Sequence, residues 1–419
     1  MAPYRVLVVD DSPFMRKIFS DLIVQDPGFT IVATASNGLE AIEAVKKWKP
    51  DAVTLDLEMP ELNGIDALKR IMDEQPTPVI MLSGISEENT RETIKALQFG
   101  AFDFIRKPMG AFSNDIVRVG ELLLEKLRIA VLTKRYSLAA QNHVEKLERT
   151  PLVKPVNRAE EPIRGMKKAQ RRDLIIPTVK SETNSAISKR NTIKSVAEVS
   201  KVIDLAPVAA AREDRLEKKF SKQNGGGFDH LIAIGTSTGG PRALHEVISS
   251  LPANMAAPVL VVQHMPPKFT KSLAQRLDNF SELEVVEASQ GDRLKAGVVY
   301  IAPGGHHMEL AKDQAGYYVV LTQKPPRNGH RPSVDVLFES LTPFDELKRH
   351  AVIMTGMGSD GAKGLRALVD SGADSAIAES EQTCVVYGMP RSAIENGCVK
   401  KILPLQQIAD ELQLAVQQG

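Results

Sequence analysis

Short apolar runs alternate with amphipathic stretches over the first part of the chain. The apolar runs are rich in β-branched residues and are bounded by turn residues at positions 6–9, 31–35, 52–55 and 79–82. Between them, apolar side chains recur at helical spacing in residues 14–24, 39–48, 65–72 and 90–97. Strands that alternate with helices of this length predict βαβ units, and therefore a parallel sheet covered on both faces.

The same alternation returns after residue 229. Buried parallel strands are predicted at residues 231–234, 259–262, 298–301 and 351–354. Helices are expected after Gly240, Phe269 and Gly361. The sequence therefore predicts an α/β protein with two doubly wound parallel-sheet domains. We expect the single tryptophan, Trp48, in the core of the first domain.

Residues 131–227 differ in composition from both flanking regions. They hold 21 lysines and arginines against 11 aspartates and glutamates, and their only Phe, Tyr or Trp residues are Tyr136 and Phe220. Such a segment buries too little apolar surface to offset its chain entropy. We interpret residues 128–228 as a basic, mostly disordered linker with a helical start, between domains at 1–127 and 229–419. A weak contact with an anionic partner or a membrane surface is the alternative use of its charge.

The bulk composition excludes several classes of protein. The 419 residues carry a formal net charge of +1, so the net charge gives no overall electrostatic attraction to nucleic acid. Two cysteines, Cys384 and Cys398, are too few for a disulfide framework and fit a reducing compartment. We find neither a signal peptide nor an apolar run near the ~18 residues that span a bilayer. We expect a cytoplasmic monomer without membrane insertion or nucleic-acid binding.

Acidic residues and one lysine follow the strands of the first domain. Asp10 and Asp11 come after the first strand, Asp56 after the third, and Lys107 after the presumed fifth. The carboxyl ends of parallel strands share one edge, so these carboxylates predict an oxygen-rich pocket for Mg²⁺. Asp56 could then attack a phosphoryl donor as a nucleophile. The alternative, that Asp10 and Asp11 only cap the helix near Pro13, explains one motif but not the set.

A second set of strand-end residues lies in the C-terminal domain. Ser237 sits in a glycine-rich turn between a strand and a helix, a pattern that also fits a phosphate-binding loop. His264 ends the next apolar strand, and Asp360 follows a later one. A hydroxyl nucleophile needs a base, and the base needs a carboxylate that holds its tautomer. The chain order Ser…His…Asp is not that of the α/β-hydrolases.

Five other polar residues have two interpretations each. His306 and His307 follow a Pro-Gly-Gly turn, and a loop role at the rim is favoured over a metal site because no cysteine or carboxylate set accompanies them. Arg331, Ser333 and Asp335 either line a substrate groove or cap the helix at residues 334–341. The sequence does not decide between these two.

The first ~125 residues resemble the receiver domains of two-component response regulators. The matching motifs are Val8-Val9-Asp10-Asp11-Ser12, Leu55-Asp56-Leu57-Glu58-Met59-Pro60, Asn63-Gly64, Ser83-Gly84 and Asp103-Phe104-Ile105-Arg106-Lys107-Pro108. The resemblance implies a flavodoxin-like fold in which Asp56 is the phosphoacceptor, Asp10 and Asp11 bind Mg²⁺ with it, and Lys107 contacts the phosphoryl group. It also implies Ser83 as switch hydroxyl and Phe104 as switch aromatic, a chemosensory histidine kinase as phosphodonor, and a cis Lys107–Pro108 bond.

Residues 229–403 closely resemble the catalytic domain of the chemotaxis methylesterases, the protein-glutamate methylesterase and protein-glutamine glutaminase family. The matching segments are Gly235-Thr236-Ser237-Thr238-Gly239-Gly240, Gln263-His264-Met265-Pro266-Pro267, Ile301-Ala302-Pro303-Gly304-Gly305-His306-His307, Arg331-Pro332-Ser333-Val334-Asp335 and Thr355-Gly356-Met357-Gly358-Ser359-Asp360-Gly361. The resemblance implies a Rossmann-like domain that needs no cofactor, with Ser237 as nucleophile, His264 as general base and Asp360 as its orienter. Backbone amides including that of Met357 would form the oxyanion hole.

The resemblance further implies the substrate and the mode of control. The substrates would be γ-glutamyl methyl esters, and particular glutamines, on the cytoplasmic helices of chemoreceptors. We expect the resting receiver to lie against the mouth of the esterase site until Asp56 is phosphorylated. The linker here is much longer than is usual in that family. Two rival functions stay open: a C-terminal domain that binds a nucleotide or phosphate without catalysis, and a signalling scaffold in which catalysis is secondary.

Limited proteolysis should cut the linker first. We expect cleavage within residues 139–225 and two stable fragments, because this segment has little apolar surface with which to protect its backbone. The C-terminal fragment should keep its ester-hydrolysing activity, since every predicted catalytic residue follows residue 229. Mass analysis of the fragments checks this, and protection throughout the segment would reveal a folded element.

Overall fold

The computed structural model describes residues 2–108, 116–132 and 227–417. These residues form two parallel sheets, of five and seven strands, and a separate antiparallel hairpin. The two doubly wound α/β domains expected from the sequence are therefore present. The interpretation of the linker as disordered falls mainly on residues 133–226, which lie outside the described part of the chain.

The first sheet has the strand order β2-β1-β3-β4-β5, and each neighbouring pair is parallel. Its strands are β1 (Tyr4–Val9), β2 (Phe29–Ala35), β3 (Ala52–Asp56), β4 (Val79–Ser83) and β5 (Asp103–Arg106). Its helices are α1 (Pro13–Val24), α2 (Gly38–Trp48), α3 (Gly64–Glu74), α4 (Glu87–Gln98) and α5 (116–132). This is the flavodoxin-like order, which places the loops after β1, β3 and β5 around one crevice.

Each of the first four helices begins at a polar side chain that caps it. These N-caps, which accept hydrogen bonds from backbone amides three residues ahead, are Ser12, Asn37, Asn63 and Ser86. A cap of this kind contributes about 1 kcal/mol and fixes where the helix starts. Because Ser12 caps α1, neither Asp10 nor Asp11 serves as its N-cap residue. The alternative of a purely capping role for these two carboxylates is therefore disfavoured.

Helix α5 runs past residue 127 into the segment interpreted as a linker with a helical start. Leu127, Ala130 and Val131 are buried in the core that α5 shares with α1. The prediction that Trp48 is a core residue was wrong, since its side chain is 39% exposed. As the last residue of α2 it lies beyond the buried stripe of the helix, and the Lys47 ammonium is 5.1 Å from its ring centroid.

The second sheet has the strand order β14-β13-β12-β6-β7-β9-β8. Its strands, all parallel, are β6 (His230–Thr236), β7 (Val259–Gln263), β8 (Glu284–Glu287), β9 (Val298–Ile301), β12 (Lys348–Ile353), β13 (Ser375–Glu379) and β14 (Lys401–Leu403). The hairpin pairs β10 (His307–Asp313) with β11 (Gly316–Thr322). The helices are α6 (Gly240–Ser250), α7 (Phe269–Asp278), α8 (Val334–Ser340), α9 (Ala362–Asp370), α10 (Met389–Glu395) and α11 (Leu405–Gln417).

The strand order reverses beside β6. On one side of β6 lie β7, β9 and β8, and on the other side lie the later strands β12, β13 and β14. In open parallel sheets such a switch point leaves a crevice at the carboxyl ends of the strands, where ligands bind. The three central strands β12, β6 and β7 are almost wholly buried, so their carboxyl ends are rigid points from which to present side chains.

The face of the receiver that includes α4 and β5 packs against the second domain. Helix α4 contacts α6 and α7. The hydroxyl oxygens of Thr90 and Ser272 are 2.7 Å apart in this buried contact. The rings of Phe104 and Phe269 stack with centroids 4.6 Å apart and planes inclined by 25°. Residues of both domains therefore contribute to one continuous apolar cluster.

Two remaining expectations concern disulfides and membrane spans. Cys384 and Cys398 are both free thiols. Among the residues that the structure describes, no helix combines the length and the apolar character needed to cross a bilayer.

Candidate functional site

Three carboxylates meet at the carboxyl edge of the first sheet. Asp10 and Asp11 follow β1, and Asp56 is the last residue of β3. Each offers a carboxylate oxygen, and these oxygens lie within 4.8 Å of one another. Asp10 and Asp56 are buried whereas Asp11 is exposed. The structure thus brings together the three side chains that the sequence predicts as a metal site.

Lys107 balances part of this negative charge. Its Nζ lies 2.8 Å from Asp10 Oδ2 and 2.7 Å from Asp56 Oδ2. Burial raises the pKa of Asp56 to about 6, although the Lys107 ammonium acts in the opposite direction. Burial also opposes the charge on Lys107, but Asp56 and Asp10 outweigh it and raise the pKa of the ammonium. One lysine therefore does not fully offset the cost of charging Asp56.

The donor set fits a small divalent cation. Asp10 Oδ2 is buried and has no well-formed hydrogen bond among the described residues, despite its ion pair with Lys107. Carboxylate oxygens are the ligands that Mg²⁺ prefers, and a cation here would remove the repulsion between Asp10 and Asp56. The three carboxylates of the first domain are therefore suited to hold Mg²⁺.

The two predicted switch residues make contacts outside the acid cluster. Ser83 Oγ donates to Gly84 O at 2.9 Å and accepts from Thr93 Oγ1 at 2.6 Å. Phe104 is buried against Phe269 of the second domain. Both are therefore committed to other contacts. The expectation of a cis Lys107–Pro108 bond was wrong, since the cis bond that the described residues contain is Arg331–Pro332; we have no physical account of the difference.

Ser237 occupies the turn that joins β6 to α6. Its amide donates to Thr355 O at 3.1 Å, and its carbonyl accepts from the Gly240 amide at 2.9 Å. Gly239 adopts a positive φ of 80°, a left-handed conformation that permits this sharp reversal. Ser237 itself is 9% exposed, so the turn lifts its side chain only slightly above the buried strand end.

The side chain of Gln263 fills the space behind this turn. Its Nε2 donates to Ser237 O at 2.8 Å, and its Oε1 accepts from Thr236 Oγ1 at 2.7 Å. A Cβ on Gly240 would lie 1.9 Å from Gln263 Oε1, which explains the glycine there. The amide side chain therefore occupies the position next to the glycine turn. A phosphate would bind on the amide side of such a turn, whereas Gln263 supports the turn from the side of the Ser237 carbonyl.

His264 and Asp360 form a buried hydrogen-bonded pair. His264 follows β7, and its Nε2 lies 2.8 Å from Asp360 Oδ2. Burial alone would raise the pKa of Asp360, but His264 and the other donors outweigh it and hold that pKa far below its usual range. Asp360 is therefore an anion at neutral pH. It can keep a proton on Nε2 of His264 and stabilise a positive imidazolium.

Several donors around Asp360 were not predicted from the sequence. Asn328 Nδ2 and Ser333 Oγ donate to Asp360 Oδ1 at 2.9 and 2.8 Å. The Val334 amide donates to Oδ2 at 2.7 Å. Asn328 has a positive φ of 52°, and the pair Asn328-Gly329 was a turn signal in the sequence. That signal could have marked the loop, but not its contact with Asp360.

The structure separates Arg331 from Ser333 and Asp335. Ser333 caps α8, and Asp335 Oδ1 accepts from the Gly361 amide at 2.9 Å and the Gly364 amide at 2.7 Å. Ser333 and Asp335 thus stabilise helix starts, as one of the two interpretations held, and they hold the Asp360 loop in place. Arg331 instead lines the cavity beside Ser237.

Ser237 and His264 line one cavity of about 690 Å³, together with Met357. His264 Nδ1 is buried and has no hydrogen-bond partner among the described residues. Because Nε2 faces Asp360, Nδ1 is the nitrogen that remains to accept a proton. The Met357 amide likewise donates no hydrogen bond within the described part of the chain. A free base nitrogen, a hydroxyl and a free amide at one cavity are the components of acyl transfer.

His306 and His307 contact the end of the hairpin. His307 is the first residue of β10, and its Nε2 is 3.2 Å from Pro325 O. His306 Nε2 is 2.9 Å from Gln323 Nε2. These contacts fit the structural interpretation of both histidines.

Residues of the receiver form one wall of the same cavity. They belong to β5 and α5 and include Asp103, Phe104 and Lys126. Asp103 Oδ2 accepts a hydrogen bond from Thr238 Oγ1 at 2.6 Å, and it also pairs with Lys126. Thr238 is the residue directly after Ser237. The first domain therefore contacts the Ser237 turn itself.

Comparison with known proteins identifies both domains of the chain. Residues 232–412 match the family model for the CheB methylesterase, and residues 6–114 match that for the response regulator receiver domain. A protein-glutamate methylesterase/protein-glutamine glutaminase of Geobacillus kaustophilus is 41% identical over 409 residues, which are 98% of this chain and 97% of the relative. The relative of the same description from Bacillus subtilis is 38% identical over 97% of this chain and 96% of its own length. The crystal structure of the Thermotoga maritima CheB methylesterase catalytic domain is 46% identical, covers 44% of this chain and 97% of that chain, and has a TM-score of 0.43.

A receiver domain and a hydrolase-type site in one chain define a response regulator whose output domain is an enzyme. The length and identity of the full-chain matches narrow that class to one family. The chain belongs to the protein-glutamate methylesterase/protein-glutamine glutaminase family.

Replacing Asp360 by Asn should leave a folded protein with about 10⁴-fold lower kcat/KM for ester hydrolysis. Asn328 and Ser333 donate to Oδ1, whereas the Val334 amide and His264 face Oδ2. An asparagine whose oxygen accepts from Asn328 and Ser333 turns its NH₂ group toward Nε2 of His264. The imidazole is then left in the wrong tautomer. Steady-state hydrolysis measured beside thermal unfolding separates loss of catalysis from loss of fold.

Asp374→Asn is the matched control for that substitution. The Asp374 carboxylate accepts from the Arg349 amide at 3.0 Å, near the amino end of β12 and away from His264, so the variant should keep most of its activity per folded molecule. An unchanged rate in Asp360→Asn, or an equal catalytic loss in both variants, would contradict the assignment of Asp360.

Proposed function

We propose that the chain hydrolyses γ-glutamyl methyl esters on the cytoplasmic helices of chemoreceptors and deamidates particular glutamines there, under the control of receiver phosphorylation. The observation that carries the proposal is the buried His264–Asp360 pair, whose free imidazole nitrogen shares a cavity with Ser237. Family membership supports the choice of substrate, because the relatives bear the names of both reactions.

The ester reaction proceeds through an acyl-serine. Ser237 Oγ attacks the ester carbonyl carbon while His264 Nδ1 takes its proton. The Met357 amide donates to the carbonyl oxygen as it becomes negative, a contribution of ~3 kcal/mol in known hydrolases. Collapse of this intermediate breaks the bond to the methoxy group, and His264 returns the proton so that methanol leaves. Water, deprotonated by His264, then releases glutamate from Ser237.

Deamidation uses the same groups with a different leaving group. The carboxamide of a glutamine places nitrogen where the ester has methoxy oxygen, so the proton from His264 releases ammonia instead of methanol. The acyl-serine and its hydrolysis are the same in both reactions. Asp360 remains ionised throughout and stabilises the imidazolium at each proton transfer.

The receiver supplies the control. Asp56 takes the phosphoryl group from a chemosensory histidine kinase, and Asp10, Asp11 and Asp56 hold Mg²⁺, which neutralises the charge that develops on the phosphoryl oxygens. Lys107 contacts the phosphoryl group. Ser83 leaves Gly84 O to bind a phosphoryl oxygen, and Phe104 turns into the space that Ser83 vacates. That movement removes the stack of Phe104 on Phe269 and weakens the contact between the domains.

In the resting protein the receiver limits access to the catalytic cavity. The contact of Asp103 with Thr238 supports this, since a receptor helix bundle needs the space that β5 and α5 occupy. A shift of ~1.4 kcal/mol in the free energy between the closed and open arrangements changes the rate tenfold. A few charge-assisted hydrogen bonds can supply a free energy of this size. The protein acts as a cytoplasmic monomer whose partners are the kinase and the receptor, without nucleic acid.

Ser237→Ala should abolish methanol release from receptor carrying labelled methyl groups, with a loss of at least ~10³-fold. The wild type should also be labelled by a fluorophosphonate at Ser237, and the variant should not. Ser249→Ala is the matched control. Ser249 lies in α6, the helix that follows the Ser237 turn, and its hydroxyl donates to His245 O. Normal methanol release by Ser237→Ala would end the proposal.

Thr90→Arg should raise the receptor activity of the unphosphorylated protein by tenfold or more. The arginine cannot fit between the buried hydroxyls of Thr90 and Ser272, so the interface opens without a change at Asp56 or Ser237. Thr34→Arg, on the exposed edge of β2, is the matched control. Receptor demethylation is measured with and without a small phosphodonor and Mg²⁺.

In the same assay the phosphodonor should stimulate wild type but not Asp56→Ala. The C-terminal fragment should exceed the resting full-length protein. If the fragment and Thr90→Arg were both no faster than the resting wild type, obstruction by the receiver would be wrong, and activation would require a stimulatory contact.

A further inference from the structure

The ring of His330 lies flat on the ring of His264. Their centroids are 3.8 Å apart and their planes are inclined by only 5°. His330 belongs to the loop before α8 and lines the same cavity as Ser237 and His264. None of the catalytic steps above uses this residue. The face-to-face contact places the His330 ring where it can influence the orientation of the His264 imidazole.

The loop that carries His330 is held rigidly. The amides and carbonyls of Arg327 and His330 exchange two hydrogen bonds of 3.0 and 2.9 Å across a tight turn. The Arg327 guanidinium makes a bidentate ion pair with Glu339 of α8. Between them, Asn328 Nδ2 donates to both Asp335 and Asp360. The turn at residues 327–330 therefore holds the Asp360 carboxylate beside His264 and the His330 ring against the face of the His264 ring.

A second contact is needed to fix the orientation of His264. Its hydrogen bond to Asp360 constrains one point of the imidazole, namely Nε2, but leaves rotation of the ring plane about that point. A flat surface packed against one face removes this freedom. With the plane fixed and Nε2 directed at Asp360, the direction in which Nδ1 points is fixed as well. Small errors in such placement are costly, since a 1 Å displacement can slow a reaction by ~10²-fold.

The chemistry of His330 suits this position. Burial, and then the neighbouring charge of His264, lower the pKa of His330 to about 4. The ring is therefore neutral at physiological pH and does not compete for the proton that His264 accepts. A neutral aromatic face also attracts a cation, so it favours the imidazolium formed during the reaction.

We propose that His330 is a positioning residue for the esterase reaction, in which its stacked ring holds the plane of His264 so that Nδ1 meets the proton of Ser237. The inference rests on the proposed roles of Ser237 and His264. It requires an aromatic ring of about this size at position 330, but no proton transfer by His330 itself.

The test compares His330→Phe, His330→Leu and His330→Ala in the full-length protein with phosphodonor and Mg²⁺ present. Phe keeps a flat neutral ring, Leu fills a similar volume without one, and Ala does neither. The readouts are the rate of Ser237 modification by a fluorophosphonate, resolved into kinact and KI, and hydrolysis of 4-nitrophenyl acetate, resolved into kcat and KM. His245→Ala is the matched control, because its ring also packs on an aromatic, Phe280, with centroids 5.1 Å apart. Thermal unfolding is recorded for every variant.

We expect kinact and kcat to fall roughly 10–100-fold in His330→Ala and His330→Leu, with KI and KM little changed. His330→Phe should stay within about threefold of wild type, and His245→Ala should match wild type. The comparison of Phe with Leu remains informative even if the alanine variant is unstable.

Three outcomes would overturn the inference. If His330→Leu were as active as His330→Phe, packing volume alone would matter, and if His330→Phe were as slow as His330→Leu, a flat ring face would not be sufficient. A change confined to KM and KI would mean that His330 contacts the substrate. A His264→Ala arm distinguishes these from failure of the proposed function. If that variant kept full kinact and kcat, His264 would not be the base at all.

Discussion

The buried negative charge of Asp360 is the constraint on which the catalytic half of the structure depends. An isolated carboxylate in this position would be costly, since burial disfavours its charged form. The structure offsets that cost with donors from separate elements: Asn328 in a loop, Ser333 and Val334 at the start of α8, and His264 after β7. Each of these elements is therefore fixed in position by one anion.

Other structural features follow from the need to hold this anion. The turn at residues 327–330 closes over the site because Asn328 reaches Asp360, and Asp335 holds the Asp360 loop through the Gly361 and Gly364 amides. The nucleophile turn is supported separately, by Gln263 from β7 and by Thr355 after β12. The active site is thus rigid at several points, while the variable element is the receiver that covers it.

The sequence predicted β1 to β4 of the first domain and β6, β7, β9 and β12 of the second, because short apolar runs, helical patterns and glycine turns are local signals. It did not name β8, β13, β14 or the hairpin strands β10 and β11. It placed Ser237, His264 and Asp360 at one edge by the rule for parallel sheets, and the structure brings His264 and Asp360 into contact there. It could not predict the hydrogen bond of Asn328 to Asp360, or the stack of His330, because both join residues far apart in sequence. The environment of Trp48 was missed for a similar reason: burial depends on what packs against a helix end.

The interface of Phe104 with Phe269 has a consequence for the direction of information flow. Under the proposed mode of control, breaking this contact both opens the cavity and frees Phe104 for the receiver conformation that favours the phosphoryl group, so the two sites share one conformational equilibrium. Thermodynamic linkage between binding free energies is reciprocal. A receptor segment that can bind only in the open cavity would therefore favour the receiver conformation that binds the phosphoryl group. This preference would end as the methylated side chains are consumed.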